Sequence, residues 1–118
     1  MKSFRDLQVW EKAHHLTLAI YKATRKFPRE ELYGMTSQIR RASCSIPANI
    51  AEGCGRISDN ELRRFMEIAM GSASELEYHL TLAHDLEMLA PEIYNELNIK
   101  TCEVKRMLAA FIKKLTKG

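Results

Sequence analysis

Glu11 and His14 stand three residues apart, the only Glu-x-x-His spacing in the chain. That spacing puts two metal ligands on one helical turn. It is half of a carboxylate-bridged di-metal centre, which also needs a second such pair and glutamates from two further helices. No second pair exists, and Glu11 and His14 point away from the apolar stripe of their own segment. His79 and His84 are five apart and cannot share a helix face as an i,i+4 zinc pair would. His79 reads as a core or interface histidine and His84, beside Asp85, as surface. Of the three cysteines, Cys44 reads as a small buried hydrophobe and Cys102 as packing. Cys54, between Gly53 and Gly55 and close to Arg56, could be exposed with a lowered pKa, but no histidine is near in sequence to act as its base, so a nucleophile is the minority reading. Gly53-Cys54-Gly55 opens onto a helix without following a strand, and it lacks both the phosphate-loop lysine and dinucleotide spacing. The sequence therefore assigns no catalytic residue, no metal ligand and no cofactor, and the expectation is a protein that is not an enzyme.

Paired cations are the remaining chemistry: Arg40-Arg41, Arg63-Arg64 and Lys113-Lys114. Such side chains neutralise phosphates, or they solvate a helix face and pair locally, as Arg63 would with Glu67 one turn on. The formal charge is +3, unevenly spread. Residues 1–57 hold 10 basic and 5 acidic side chains, residues 58–118 hold 8 and 10. This permits an anionic partner without demanding one.

The elements that must position these residues are helical, because apolar residues recur every three or four positions and no run alternates as a strand would. A first helix over about Leu7–Lys26 aligns Trp10, Ala13, Thr17, Ile20 and Thr24, with Val9 and Leu16 widening the stripe; Phe27-Pro28 ends it. A second, about Glu31–Glu52, aligns Met35, Ile39, Ala42, Ile46 and Ile50, and Pro47 inside it should kink or loosen the turn. Gly53 is expected to close it in a left-handed conformation. Ser58 then caps a third helix, with Glu61 as capping-box partner, running to about Leu89 along the seam Leu62, Phe65, Ala69, Ser72, Leu76, His79, Ala83 and Leu86. Pro91 suits the first turn of a fourth, which reaches about Leu115. A second apolar stripe on the third helix, Met66, Met70, Ala73 and Leu80, fits either a second bundle neighbour or a subunit interface. With 46% hydrophobic and 28% charged residues and only 3 prolines, the 118 residues make one domain, 1–118, an all-α antiparallel up-down-up-down four-helix bundle. No stretch is long and apolar enough to span a bilayer, no secretory signal opens the chain, and an odd number of thiols fits a cytoplasmic setting.

The run Gln38-Ile39-Arg40-Arg41-Ala42-Ser43-Cys44-Ser45-Ile46-Pro47-Ala48-Asn49-Ile50-Ala51-Glu52-Gly53 closely resembles the signature of a bacterial four-helix-bundle family first noted as reading frames inside 23S ribosomal RNA intervening sequences. Phe4-Arg5-Asp6-Leu7-Gln8-Val9-Trp10-Glu11-Lys12-Ala13 is similar to the family's opening. Phe27-Pro28 and Tyr33-Gly34 resemble its first turn, and Arg64-Phe65-Met66-Glu67-Ile68-Ala69-Met70-Gly71-Ser72 with Glu75-Leu76-Glu77 its third helix. The likeness covers about residues 4–90. It implies a four-helix bundle assembled as a ring-shaped homopentamer. It also brings a relative, the accessory protein of diversity-generating retroelements, which binds nucleic acid through a basic surface. It carries over no catalytic residues.

In an up-down-up-down bundle the start of the first helix, the second turn and the end of the last helix meet at one end. Lys2, Arg5, Arg56, Arg63, Arg64, Lys113, Lys114 and Lys117 gather there against Asp6, Glu52, Asp59 and Glu61. The opposite end collects Lys22, Arg25, Lys26 and Arg29 against Glu30, Glu31, Asp85, Glu87, Glu92 and Glu96. The basic pole is the expected site for RNA or DNA phosphates, with contacts to phosphate rather than base because no exposed aromatic cluster is expected at that pole. An oligomeric adaptor for a protein partner is the alternative.

Overall fold

Residues 3–117 are described by the structure, a computed structural model, with side chains through Thr116. A 3₁₀ turn at Phe4–Asp6 leads into α1 (Gln8–Thr24). After the Phe27-Pro28 break, a 3₁₀ turn (Arg29–Glu31) and a π-helical turn (Leu32–Thr36) lead into α2 (Ser37–Cys54). Then come α3 (Asp59–Asp85) and α4 (Pro91–Lys117), and the described residues contain no strand.

Polar contacts fix the helix directions. Thr17 on α1 bonds the carbonyl of Ser43 on α2 at 2.9 Å, and Arg40 Nε donates to Thr24 Oγ1 at 2.8 Å, so numbering rises on one helix as it falls on the other. Ser45 meets Ser72 between α2 and α3 at 2.9 Å. Lys105 and Tyr94 on α4 meet Glu77 and Thr81 on α3 at 2.7 and 3.3 Å. Lys12 reaches Glu103 at 3.7 Å, closing α1 against α4. Each helix thus packs on two antiparallel neighbours in a bundle measuring 45 × 22 × 19 Å. The fold is the four-helix bundle that the periodicity predicts.

The core follows the stripes. Val9, Ala13, Leu16, Ile20, Ile39, Ile46, Ile50, Leu62, Leu76, Val104 and Leu108 are all buried. The seam on α3 is buried from Leu62 to Ala83, apart from a half-buried Ser72, and ends there, because α3 stops at Asp85 and leaves Leu86 exposed. The stop is a Schellman closure: Met88 N–H bonds Ala83 O at 2.8 Å and Glu87 N–H bonds His84 O at 3.0 Å, with Glu87 left-handed at φ 63°. No glycine marked this end, so the sequence places it too late.

Two expectations about α2 change. Gly53 lies inside the helix, and no described glycine has a positive φ. Its reason for being glycine is proximity: a Cβ there would sit 2.9 Å from Phe65 Cβ and 3.1 Å from Leu62 Cδ1, so α2 and α3 touch at this residue. Pro47 is accommodated in a continuous helix. Having no N–H, it leaves the Ser43 carbonyl without its helical donor, and the Thr17 hydroxyl from α1 supplies one. Ser58 caps α3 as expected, accepting from Glu61 N at 3.2 Å.

Candidate nucleic-acid interface

The pole is built by four helix ends. The 3₁₀ turn at Phe4–Asp6 is held by Ser3, whose hydroxyl accepts from Arg5 N at 3.3 Å. Arg5 then lies over the Phe4 ring at 4.4 Å, and Phe4 packs on Trp10 at 4.8 Å. Arg56 follows the end of α2. Its guanidinium bonds Glu52 at 2.7 Å and lies over Phe65 at 4.8 Å. Arg64 approaches the same ring at 6.0 Å, so one buried phenylalanine supports two arginines. Lys113 and Lys114 are exposed on the last turns of α4, beside an open cleft of about 530 Å³ whose apolar wall is Leu7, Val9, Met107, Ala110 and Phe111.

The predicted site residues fall as follows. Arg5, Arg56, Arg63, Arg64, Lys113 and Lys114 lie at the one end that the topology brings together. Lys2 is outside the described residues, as is the side chain of Lys117. Among the described residues only Arg56 of this set enters an ion pair. The expected Arg63–Glu67 pair is not made. Arg63 is instead half-buried, with its Nε covered and without an acceptor among the described residues. A covered donor left without an acceptor costs about 1–3 kcal/mol, and an outside acceptor is reached only if the side chain turns outward.

The interface stripe needs correction. Met66, Ala73 and Leu80 are fully buried within the chain, spent on packing α3 against its bundle neighbours, and only Met70 is partly accessible. The bundle-neighbour reading of that stripe is the one the structure follows. The thiols are also rearranged. Cys44 is exposed, whereas Cys54 is buried and desolvation raises its pKa, the opposite of an activated nucleophile. Cys102 donates weakly to Glu77 at 3.7 Å. Glu77 is held below the usual carboxylate range first by the Lys105 hydrogen bond, and this cluster ties α3 to α4. His84, expected on the surface, is half-buried and stacks on Tyr94 at 4.5 Å. His14 stacks on Trp10 at 4.9 Å. His79 is buried with Nε2 3.3 Å from Glu75. No group of three or more His, Cys, Asp or Glu among the described residues is placed to hold a metal ion. No helix among them is long and apolar enough to cross a membrane.

Sequence reasoning missed the surroundings of Arg40 and Arg41. Arg40 is locked to Thr24 and to the Tyr21 carbonyl and lies over the Tyr21 ring at 4.7 Å. Arg41 points out and, among the described residues, has no ion-pair partner. Their order in the sequence held the signal: with i and i+1 about 100° apart, one packs and the other does not.

The family model for the 23S rRNA-intervening sequence protein matches residues 5–110. The chain belongs to this family. A solved structure agrees, that of a protein with unknown function from the S23 ribosomal protein family from Bacteroides thetaiotaomicron VPI-5482. It is 30% identical, with a TM-score of 0.81 over 89% of this chain and 98% of that one. No curated protein matches. The family fixes the architecture, and the solved relative is itself a protein with unknown function.

Proposed function

We propose that this member of the family is a non-enzymatic, cytoplasmic homo-oligomer, a pentamer, that binds RNA or DNA phosphates through its basic pole. The observation that carries the reading is the gathering of Arg5, Arg56, Arg63, Arg64, Lys113 and Lys114 at one end of the bundle, with a single ion pair to other described residues. Phosphates are the partner such a surface neutralises, and counterion release supplies the free energy. A cyclic assembly with its bundles aligned along the axis would repeat the pole on one rim and enlarge the field. The contact between copies moves from the buried stripe to apolar side chains left outside, Ile68 on α3 and Ile93 and Ile99 on α4, which are 41%, 42% and 66% exposed.

The second reading, an adaptor for a protein partner, is favoured by the apolar cleft between the start of α1 and the end of α4. The mass of the assembly, measured with and without nuclease treatment of copurifying material, separates the two. A pentamer carrying nuclease-sensitive mass supports the first reading. A stable monomer of about 13.6 kDa contradicts the oligomer, and an oligomer that retains no RNA or DNA at low salt favours the adaptor.

A further inference from the structure

The face of α2 that carries Arg41 opens as a polar groove of about 450 Å³, lined by Tyr33, Gln38, Arg41, Ser45, Ser72 and Glu75 among others. Tyr33 is presented by the π-helical turn before α2. Gly34 there leaves helical geometry at φ −110°, ψ −109°, and the Glu31 carboxylate caps Met35 N–H at 3.1 Å. Tyr33 is 93% exposed, and among the described residues no ring or cation stacks on it. Arg41, on the same groove, has no ion-pair partner among the described residues. Glu75 is an acceptor held in place by His79 at 3.3 Å.

We propose that this groove takes an unpaired nucleobase, guanine in preference to uracil or thymine, of a single-stranded nucleic acid whose backbone runs toward the basic pole. The proposal rests on the nucleic-acid reading and adds base contact at a second place, since Arg41 and Arg56 are separated by about 20 Å of helix at ~1.5 Å per residue. Three chemistries meet there. A free tyrosine ring stacks a base. Arg41 takes the adjoining phosphate. A carboxylate offers only acceptors, so it favours a base edge rich in N–H donors. Guanine presents N1–H and the N2 amino group together, whereas uracil and thymine present one N–H flanked by two carbonyls that the carboxylate repels. Ser45 and Ser72, already sharing a hydrogen bond at 2.9 Å, have lone pairs and a rotatable proton left for the remaining polar edge.

Fluorescence anisotropy with two short labelled RNAs tests this, a uridine octamer and the same octamer with one central guanosine, at low salt on the full chain. Wild type should bind the guanosine-containing RNA at least fivefold more tightly. Glu75→Gln should erase that difference. Tyr33→Ala should weaken the guanosine RNA about tenfold, the scale of one lost base stack. Both side chains are exposed, so the fold should tolerate either change. Equal affinity for both RNAs, or no effect of Tyr33→Ala while binding remains salt-dependent, overturns the groove and leaves the pole standing. Absence of binding to either RNA removes the pole first and the groove with it. A Tyr33→Ala variant whose assembly changes mass assigns the groove to contact between copies and likewise overturns the proposal.

Discussion

Alanine at three glycines should change stability in three different ways. Gly71 is exposed in the middle of α3, and a Cβ there meets nothing within 4 Å. Relief of glycine's poor helix propensity should therefore stabilise by up to about 1 kcal/mol. Gly55 caps α2 with φ −84°, and its Cβ would lie 3.4 Å from the Glu52 carbonyl, an ordinary contact, so alanine should be near neutral. Gly53 is helical too, yet its Cβ would stand 2.9 Å from Phe65 Cβ. That atom is one bond from the α3 backbone and cannot swing aside, so the helices must part or strain. Overpacking of this kind costs about 1–3 kcal/mol, and the propensity gain, small in a last turn, offsets only part of it. Thermal unfolding followed by far-UV circular dichroism, at one protein concentration because assembly couples to stability, reads all three. At about 4 °C per kcal/mol, Gly71→Ala should raise the midpoint by ~3–4 °C, Gly55→Ala should leave it unchanged, and Gly53→Ala should lower it by ~4–8 °C. A Gly53→Ala protein as stable as Gly71→Ala would refute the close approach of α2 and α3.

Three further outcomes are expected. Glu87→Gly should stabilise by about 1 kcal/mol in the same melts, because the left-handed φ of 63° strains a side-chain-bearing residue; unchanged or lowered stability would contradict that geometry. Thr17→Val should cost about 1–3 kcal/mol by stripping the Ser43 carbonyl of its donor opposite Pro47, and Pro47→Ala, which restores a helical N–H, should recover part of the loss. Alkylation at mildly alkaline pH, mapped by peptide mass, should label exposed Cys44 well before buried Cys54, whose thiol is pushed up by desolvation; the reverse order would sink this placement.

The helices were legible because period and caps agree: Ser58 with Glu61, Pro91 in a first turn, and stripes that close on one core. What misled were features whose meaning depends on a neighbour. Glycine at 53 signals a left-handed end when read locally, but here it signals contact with Phe65, a residue of the next helix. A Met66–Leu80 stripe is equally apolar whether it meets another helix of the same chain or another copy, and only the fold decides. The end of α3 was invisible because a glutamate holds the left-handed position usually given to glycine. At the pole, topology was enough to place six described cations at one end. The Tyr33 groove was not legible, since it needs a π-helical turn and the spacing of α2 and α3 to bring Tyr33, Arg41 and Glu75 to one surface.

The salt dependence of nucleic-acid binding decides whether the basic pole neutralises phosphates. Affinity for a single-stranded oligonucleotide should be measured between ~50 and ~200 mM salt for wild type and for the variant with Arg63, Arg64, Lys113 and Lys114 reversed to glutamate. Each phosphate neutralised contributes about 0.7 to the slope of log affinity against log salt. Wild type should therefore show a steep slope, the variant a slope lower by about 3 or no measurable binding, and the assembly an unchanged mass. A wild type that does not bind at ~50 mM salt, or a variant that binds with the same slope, would contradict the assignment of the basic pole to phosphates.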